Sequence, residues 1–171
     1  MSGTSRSPAN DQPQVKLLVE RTYRARVEEL WELWTTKAGF ASWWGPEGFR
    51  VEVHALEARP GGALEYDMIA DTPDTIAAMQ RMGQPPSHGT HGRFAEFEPY
   101  ERLALVHAID FIPGVEPYES RIEVEFHALG EQVRMVVTLH PHRDPHWTKM
   151  SVMGFQSQLT KLDKRFGGPE R

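Results

Sequence analysis

Residues 145–165, PHWTKMSVMGFQSQLTKLDKR, read as one long helix whose apolar stripe decides the fold. Val152, Phe155, Leu159 and Leu162, continued by Phe166, recur at three- and four-residue spacing, so one side of the helix is apolar along its length. Asp144 stands where a side-chain cap belongs, Pro145 suits the first helical position, and Gly167-Gly168-Pro169 stops the run. Such a stripe must be buried against another layer, and the chain ahead of it supplies strands.

Strands are predicted at about 49–56, 63–70, 88–98, 102–110, 118–128 and 132–140. The stretch 120–128 alternates most clearly, with Ile122, Val124 and Phe126 opposing Arg121, Glu123, Glu125 and His127, which marks an antiparallel sheet with one wet face. The turn Arg59-Pro60-Gly61-Gly62 reverses the chain, and a positive φ is expected at Gly62. A further strand at about 15–24 precedes two helices. The first carries Val27, Leu30, Trp31 and Trp34 on one stripe, with Glu28 and Glu29 in its first turn and Ala25, a poor cap, before it. The second is capped by Thr36, runs to about Trp44 and ends at Gly45-Pro46. Residues 71–87 interrupt the strands: Thr72 caps, Pro73 starts a short helix, and Ile76, Met79 and Met82 give it an apolar face. The order strand, two helices, six strands, long helix predicts an α+β fold, a curved antiparallel sheet of about seven strands gripping the C-terminal helix. One domain covers 15–168, with 71–87 as an insertion suited to a lid. The polar tail 1–14, MSGTSRSPANDQPQ, has the composition of a disordered segment.

Composition bounds the function. A chain of 171 residues is long enough for a core of its own. The absence of cysteine excludes disulfides, thiolate nucleophiles and cysteine-based metal sites. Nineteen Lys and Arg against 24 Asp and Glu leave a charge of −5, which argues against nucleic acid as a partner. No apolar run approaches the ~18 residues that cross a bilayer, so no membrane insertion is expected. The first residues carry no apolar leader, and a cytoplasmic protein is expected.

Several local motifs sharpen the fold reading. Glu20-Arg-Thr-Tyr-Arg-Ala25, Val27-Glu-Glu-Leu-Trp31, Trp43-Trp44-Gly-Pro46, Arg59-Pro-Gly-Gly62, Gly92-Arg-Phe-Ala-Glu-Phe-Glu-Pro99 with Glu101-Arg-Leu103, and Gly154-Phe155 with Leu159 and Leu162 occur in this order. Together they resemble the SRPBCC (START-like, helix-grip) superfamily. The branch they resemble is that of the C-terminal domain of the activator of the ninety-kilodalton heat-shock protein ATPase. The resemblance spans about 15–166 and implies a pocket between sheet and helix. By analogy it also implies a chaperone partner and a link to the stress response. Arg26 departs from a common proline, Phe155 from a common tryptophan, and 71–87 is longer than the usual turn. The branch has no invariant catalytic set to carry over.

A single helix cannot touch every strand of a seven-stranded curved sheet, so the space left over is either filled or hollow. The aromatic side chains expected near it are Trp31, Trp44, Tyr66, Phe94, Phe111 and Trp147. Met68, Met79, Met150 and Met153 join them as adaptable apolar contacts, and His107 as a polar handle. The same side chains also serve as ordinary core, above all the tryptophans. Among eight histidines, His140, His142 and His146, and separately His88 and His91, have ligand-like spacing. Pro141 bends the chain between the first three, and neither a metal nor another cofactor is expected. As an acid–base set, His107, Tyr66, Asp110 and Glu123 are the candidates, without a nucleophile elbow or phosphate loop beside them. The residues therefore favour a protein that holds a hydrophobic or aromatic small molecule. The alternatives are an enzyme of the polyketide cyclase or hydrolase kind and a co-chaperone-like interaction module. An apolar sheet edge would support a homodimer, though nothing in the sequence demands one.

Overall fold

The computed structural model describes residues 16–110 and 114–167. The tail 1–14, Val15, Phe111 and Gly168 lie outside the described residues. Seven strands form one antiparallel sheet: β1 (Leu17–Tyr23), β2 (Phe49–Leu56), β3 (Ala63–Ala70), β4 (Ser87–Glu98), β5 (Arg102–Ile109), β6 (Tyr118–Leu129) and β7 (Gln132–Leu139). The helices among the described residues are α1 (Val27–Thr35), α2 (Lys37–Ala41), α3 (Pro73–Arg81) and α4 (Pro145–Arg165). The α+β class, the curved seven-stranded sheet and the long terminal helix are those predicted.

The strand order is β1-β7-β6-β5-β4-β3-β2, so the first two strands in sequence are the two edges of the sheet. Helices α1 and α2 carry the chain from one edge to the other. The remaining strands meander back until β7 lies against β1, with Leu17 opposite Leu139 and Tyr23 opposite Val133. Register shifts at Val53/Ala55 and Phe94/Glu96 add bends of the kind β-bulges produce. Polar residues cover the outer face. Arg121 Nε lies 2.7 Å from Glu123, Arg102 bridges to Glu96 at 3.1 Å, and Arg121 also reaches Glu96.

Local chemistry explains most element boundaries. Thr36 Oγ1 accepts the Gly39 N–H at 2.9 Å, so α2 starts where a cap was expected. It ends at Ala41, earlier than predicted, because Ser42 serves as the C-cap; Trp44 then follows outside the helix, its N–H still on the Phe40 carbonyl at 3.0 Å. The cap position of α1 is Arg26 rather than Ala25, and Glu29 Oε1 accepts the Arg26 N–H at 2.9 Å. The carboxylate thus does the work a poor cap residue cannot. In α3, Thr72 Oγ1 accepts the Thr75 N–H at 3.2 Å, and Thr75 Oγ1 donates to the Gly48 carbonyl at 2.9 Å. No residue of α3 is buried, so the apolar face predicted for the insertion is not part of the core.

At the 59–62 turn the positive φ falls on Gly61 (75°), not on Gly62. Gly62 is needed for a different reason: a Cβ there would stand 1.9 Å from the Glu57 carbonyl oxygen. Gly62→Val is therefore expected to destabilise the fold by at least about 2 kcal/mol. A fall in the urea midpoint checks this, and an unchanged midpoint would mean that the turn backbone gives way freely.

The core sits where the C-terminal half of α4 meets α1, α2 and the sheet. Phe155, Leu159 and Leu162 are buried on α4. Trp34 is fully buried and meets Trp43 at 5.0 Å, Trp44 at 5.5 Å and Phe155 at 6.5 Å between ring centroids. The end of α4 is fastened to β1, for Tyr23 Oη donates to Asp163 Oδ1 at 2.6 Å and Arg21 Nε lies 3.2 Å from the same oxygen. No helix among the described residues is long and apolar enough to cross a membrane.

Candidate functional site: a cavity under the N-terminal half of α4

The core is not filled along the whole helix. Between the sheet and the first half of α4 lies a cavity of about 300 Å³, at the small end of the range for ligand pockets. The helix contributes Trp147, Met150, Ser151, Gly154, Phe155 and Gln158, which fall on one helical stripe. The sheet contributes inward-facing residues that are cross-strand neighbours: Tyr66 opposite Thr90, Met68 opposite His88, His107 opposite Ser120. Ile122 and Leu139, also paired, extend this floor, and Ile109 belongs to it. Trp44 and Pro46 close one side and His142 another.

The wall beside Trp44 is set by α4 itself. Gly45 has φ 96°, a conformation that suits glycine. Gln158 Oε1 accepts the Gly45 N–H at 2.9 Å, Ser157 Oγ accepts the Glu47 N–H at 2.9 Å, and Lys161 Nζ donates to the Gly45 carbonyl at 2.8 Å. This polar grip fixes the Gly45-Pro46 turn against the helix and so places Trp44 and Pro46. The Gln158 Nε2 amide is buried and has no partner among the described residues. Gly154 leaves open space, since a Cβ built on it would touch only Pro46 Cγ at 3.8 Å.

A short polar chain runs into this apolar setting. Trp44 Nε1–H donates to Tyr66 Oη at 2.9 Å, and Tyr66 Oη lies 3.1 Å from His107 Nε2. The His107 and Trp44 rings stack at 6.2 Å. Burial pushes the His107 imidazole down to about 4, helped by the neighbouring His91 and His142, so it is neutral at neutral pH. Burial likewise raises Tyr66, outweighing the hydrogen bonds from Trp44 and Thr90, and the phenol stays protonated. At the far side Tyr118 Oη meets His142 Nδ1 at 2.6 Å, and Ser120 Oγ lies 3.5 Å from His142 Nε2. Burial lowers His142 as well, and it lowers His88 against the opposing pull of Asp67. Among the described residues that line the cavity none is Asp, Glu, Lys or Arg.

Of the residues expected from the sequence, Trp44, Tyr66, Met68, His107, Trp147 and Met150 come together in this wall. Four others lie elsewhere. Trp31 packs at the other end of the core, 5.1 Å from Phe97 and 5.6 Å from Phe126. Phe94 is fully buried with its edge on Phe97 at 5.4 Å. Met79 is half-buried on α3, and none of residues 71–87 lines the cavity. Met153 faces solvent, 54% exposed, because it sits off the 147–158 stripe. Phe111 is outside the described residues. Asp110 and Glu123 stand away from the wall: Asp110 pairs with His91 at 3.0 Å, and Glu123 lies on the outer face with Arg121. The histidines of ligand-like spacing diverge, His140 toward Glu123 at 3.2 Å and His142 toward Tyr118. No three His, Cys, Asp or Glu gather around a metal position among the described residues.

The cavity residues expected from the sequence do not include His142, Gly154 or Gln158. Gln158 was visible in principle, as a polar residue set inside the apolar stripe three positions after Phe155. His142 follows a proline bend, where no periodicity predicts direction.

Comparison with known proteins supports the same architecture. A structure from Chromobacterium violaceum is 22% identical, with 88% of this chain and 96% of that chain covered and a TM-score of 0.69. The AHSA1 protein of Silicibacter pomeroyi is 18% identical over 90% of this chain and 98% of its own, with a TM-score of 0.69. A solution structure from Arthrobacter aurescens is 17% identical over 92% and 87%, with a TM-score of 0.70. At these identities the likeness is one of fold. Comparison with curated proteins finds no match. The family model described as Activator of Hsp90 ATPase homolog 1-like protein matches residues 24–167, nearly all of the domain, and the chain belongs to that family.

Proposed function

We propose that the protein binds a hydrophobic or aromatic small molecule in the cavity between the sheet and α4. The observation that carries this reading is the unfilled space itself. About 300 Å³ lie open beneath a helix whose other half is tightly packed, and the wall is largely apolar with a few convergent polar groups. The space opens to solvent, so a ligand can enter it, and its apolar lining forgoes contacts on that side until something fills it. Binding also fits the polar groups better than catalysis does. His107 takes up a second proton only as the pH falls to about 4 and no carboxylate stands beside it in the wall, whereas a general base works best with a pKa near the operating pH.

The experiment is a thermal-shift screen of the protein against neutral aromatic and aliphatic molecules. A ligand at a hundred times its dissociation constant should stabilise the fold by about 2.7 kcal/mol, a rise of several degrees in melting temperature. Flat melting curves across a broad panel would overturn the reading.

A further inference from the structure

Resting on the binding reading above, the geometry points to a narrower ligand class: an uncharged molecule bearing a hydrogen-bond acceptor, such as a ketone or ester carbonyl, which receives the Nδ1–H of His107. The direction of the polar chain fixes this. Indole Nε1–H of Trp44 can only donate, so Tyr66 Oη is the acceptor of that 2.9 Å bond. The phenol then has one hydrogen to place. The Thr90 hydroxyl also reaches Tyr66 and, like Trp44, serves it as a donor, so the phenol hydrogen goes to His107 Nε2, 3.1 Å away, for a buried O–H left without an acceptor is costly. Nε2 of a neutral imidazole that accepts has no proton, so the proton is on Nδ1. That N–H has no partner among the described residues, yet it is not among the sealed, orphaned polar atoms. His107 is a residue of the cavity wall, and its Nδ1–H is the donor assigned here to the occupant.

Charge selects in the same sense. The wall has neither a cation to meet a carboxylate nor an anion to meet an amine among its described residues. Its three imidazoles, His88, His107 and His142, are all held toward the neutral form by burial. A charged ligand would lose its hydration without a counter-charge.

Three near-isosteric probes test the assignment at pH 7.5: 2-acetylnaphthalene, 2-isopropenylnaphthalene and 2-naphthoate. The ketone is expected to bind about tenfold more tightly than the alkene, which leaves the His107 donor unmet, and the carboxylate most weakly of the three. In His107→Leu the ketone and alkene should become equal. Because that buried substitution risks the fold, nitrogen-15 NMR of the wild-type histidines reads the tautomer independently, with the proton expected on Nδ1 of His107. An alkene that binds as well as the ketone, a carboxylate that binds best, or a proton found on Nε2 overturns the acceptor assignment. If ketone and alkene bind equally and both are lost in Gly154→Phe, the cavity still binds and only its selectivity is wrong. If none of the three binds, the acceptor assignment falls, and the broad panel decides the binding reading separately.

Discussion

Gly154→Phe is expected to weaken ligand binding at least a hundredfold while leaving the melting temperature of the free protein unchanged or raised. Glycine in the middle of a 21-residue helix is a standing cost, about 1 kcal/mol relative to alanine. Nothing in the helix backbone requires it, because its φ is not positive and a Cβ there meets only Pro46 Cγ at ordinary contact distance, 3.8 Å. What glycine provides is space on the cavity side of α4. A phenyl ring at this position would enter the cavity and satisfy the same apolar lining that a ligand would, so affinity falls while stability does not. Gly154→Ala isolates the helix-propensity gain, with a rise of about 0.5–1 kcal/mol and a smaller effect on binding. Titration of each variant with an identified ligand, beside its thermal unfolding, gives both readouts. Binding that survives Gly154→Phe would place the ligand elsewhere. A sharp fall in melting temperature would mean that the space cannot admit the ring.

The cavity is only half legible in the sequence, for a physical reason. Periodicity located the long helix, the strands and the wet face, because each depends on which side chains meet water, and Arg121, Glu123 and Glu125 announce that directly. It also brought Tyr66 and Met68 to one face, and His107 to the face of Leu103 and Leu105. Periodicity does not report how far apart two apolar surfaces stand. Trp31 and Phe94 are as apolar as Trp44, yet they fill the tight end of the core, while Trp44 borders the open end. What α4 meets along its length depends on how it is fastened, by Gln158, Ser157 and Lys161 on the Gly45–Glu47 turn and by Asp163 on Tyr23. Those are contacts between residues more than 100 positions apart, which local pattern cannot anticipate. The helix at residues 73–81 shows the converse: its caps were readable, but the burial implied by Ile76 and Met79 does not occur.

Acid should destabilise the protein well before its carboxylates are protonated. His107 has a folded pKa of about 4 against an ordinary value of 6.5. Between these values the unfolded chain binds a proton that the folded one refuses, so stability falls as pH drops from about 6.5 toward 4 and levels off below. Full separation of the two values is worth about 3 kcal/mol at 1.36 kcal/mol per unit, so roughly 2–3 kcal/mol should be gone at pH 4.5. His88 and His142, also lowered by burial, act in the same direction. The carboxylates act lower. Arg134 and Arg93 hold Glu20 and Glu119 below their usual 4.5, so the stability of those pairs is lost only in more acid solution. Urea unfolding at pH 7.5, 5.5 and 4.5 separates the two windows. His107→Leu should flatten most of the decline above pH 4.5, whatever it costs at neutral pH, because the slope reports protons and not packing. A wild-type protein equally stable at pH 7.5 and 4.5 would show that water or a carboxylate reaches the imidazole and that its site is less sealed than its contacts with Tyr66 and Trp44 require.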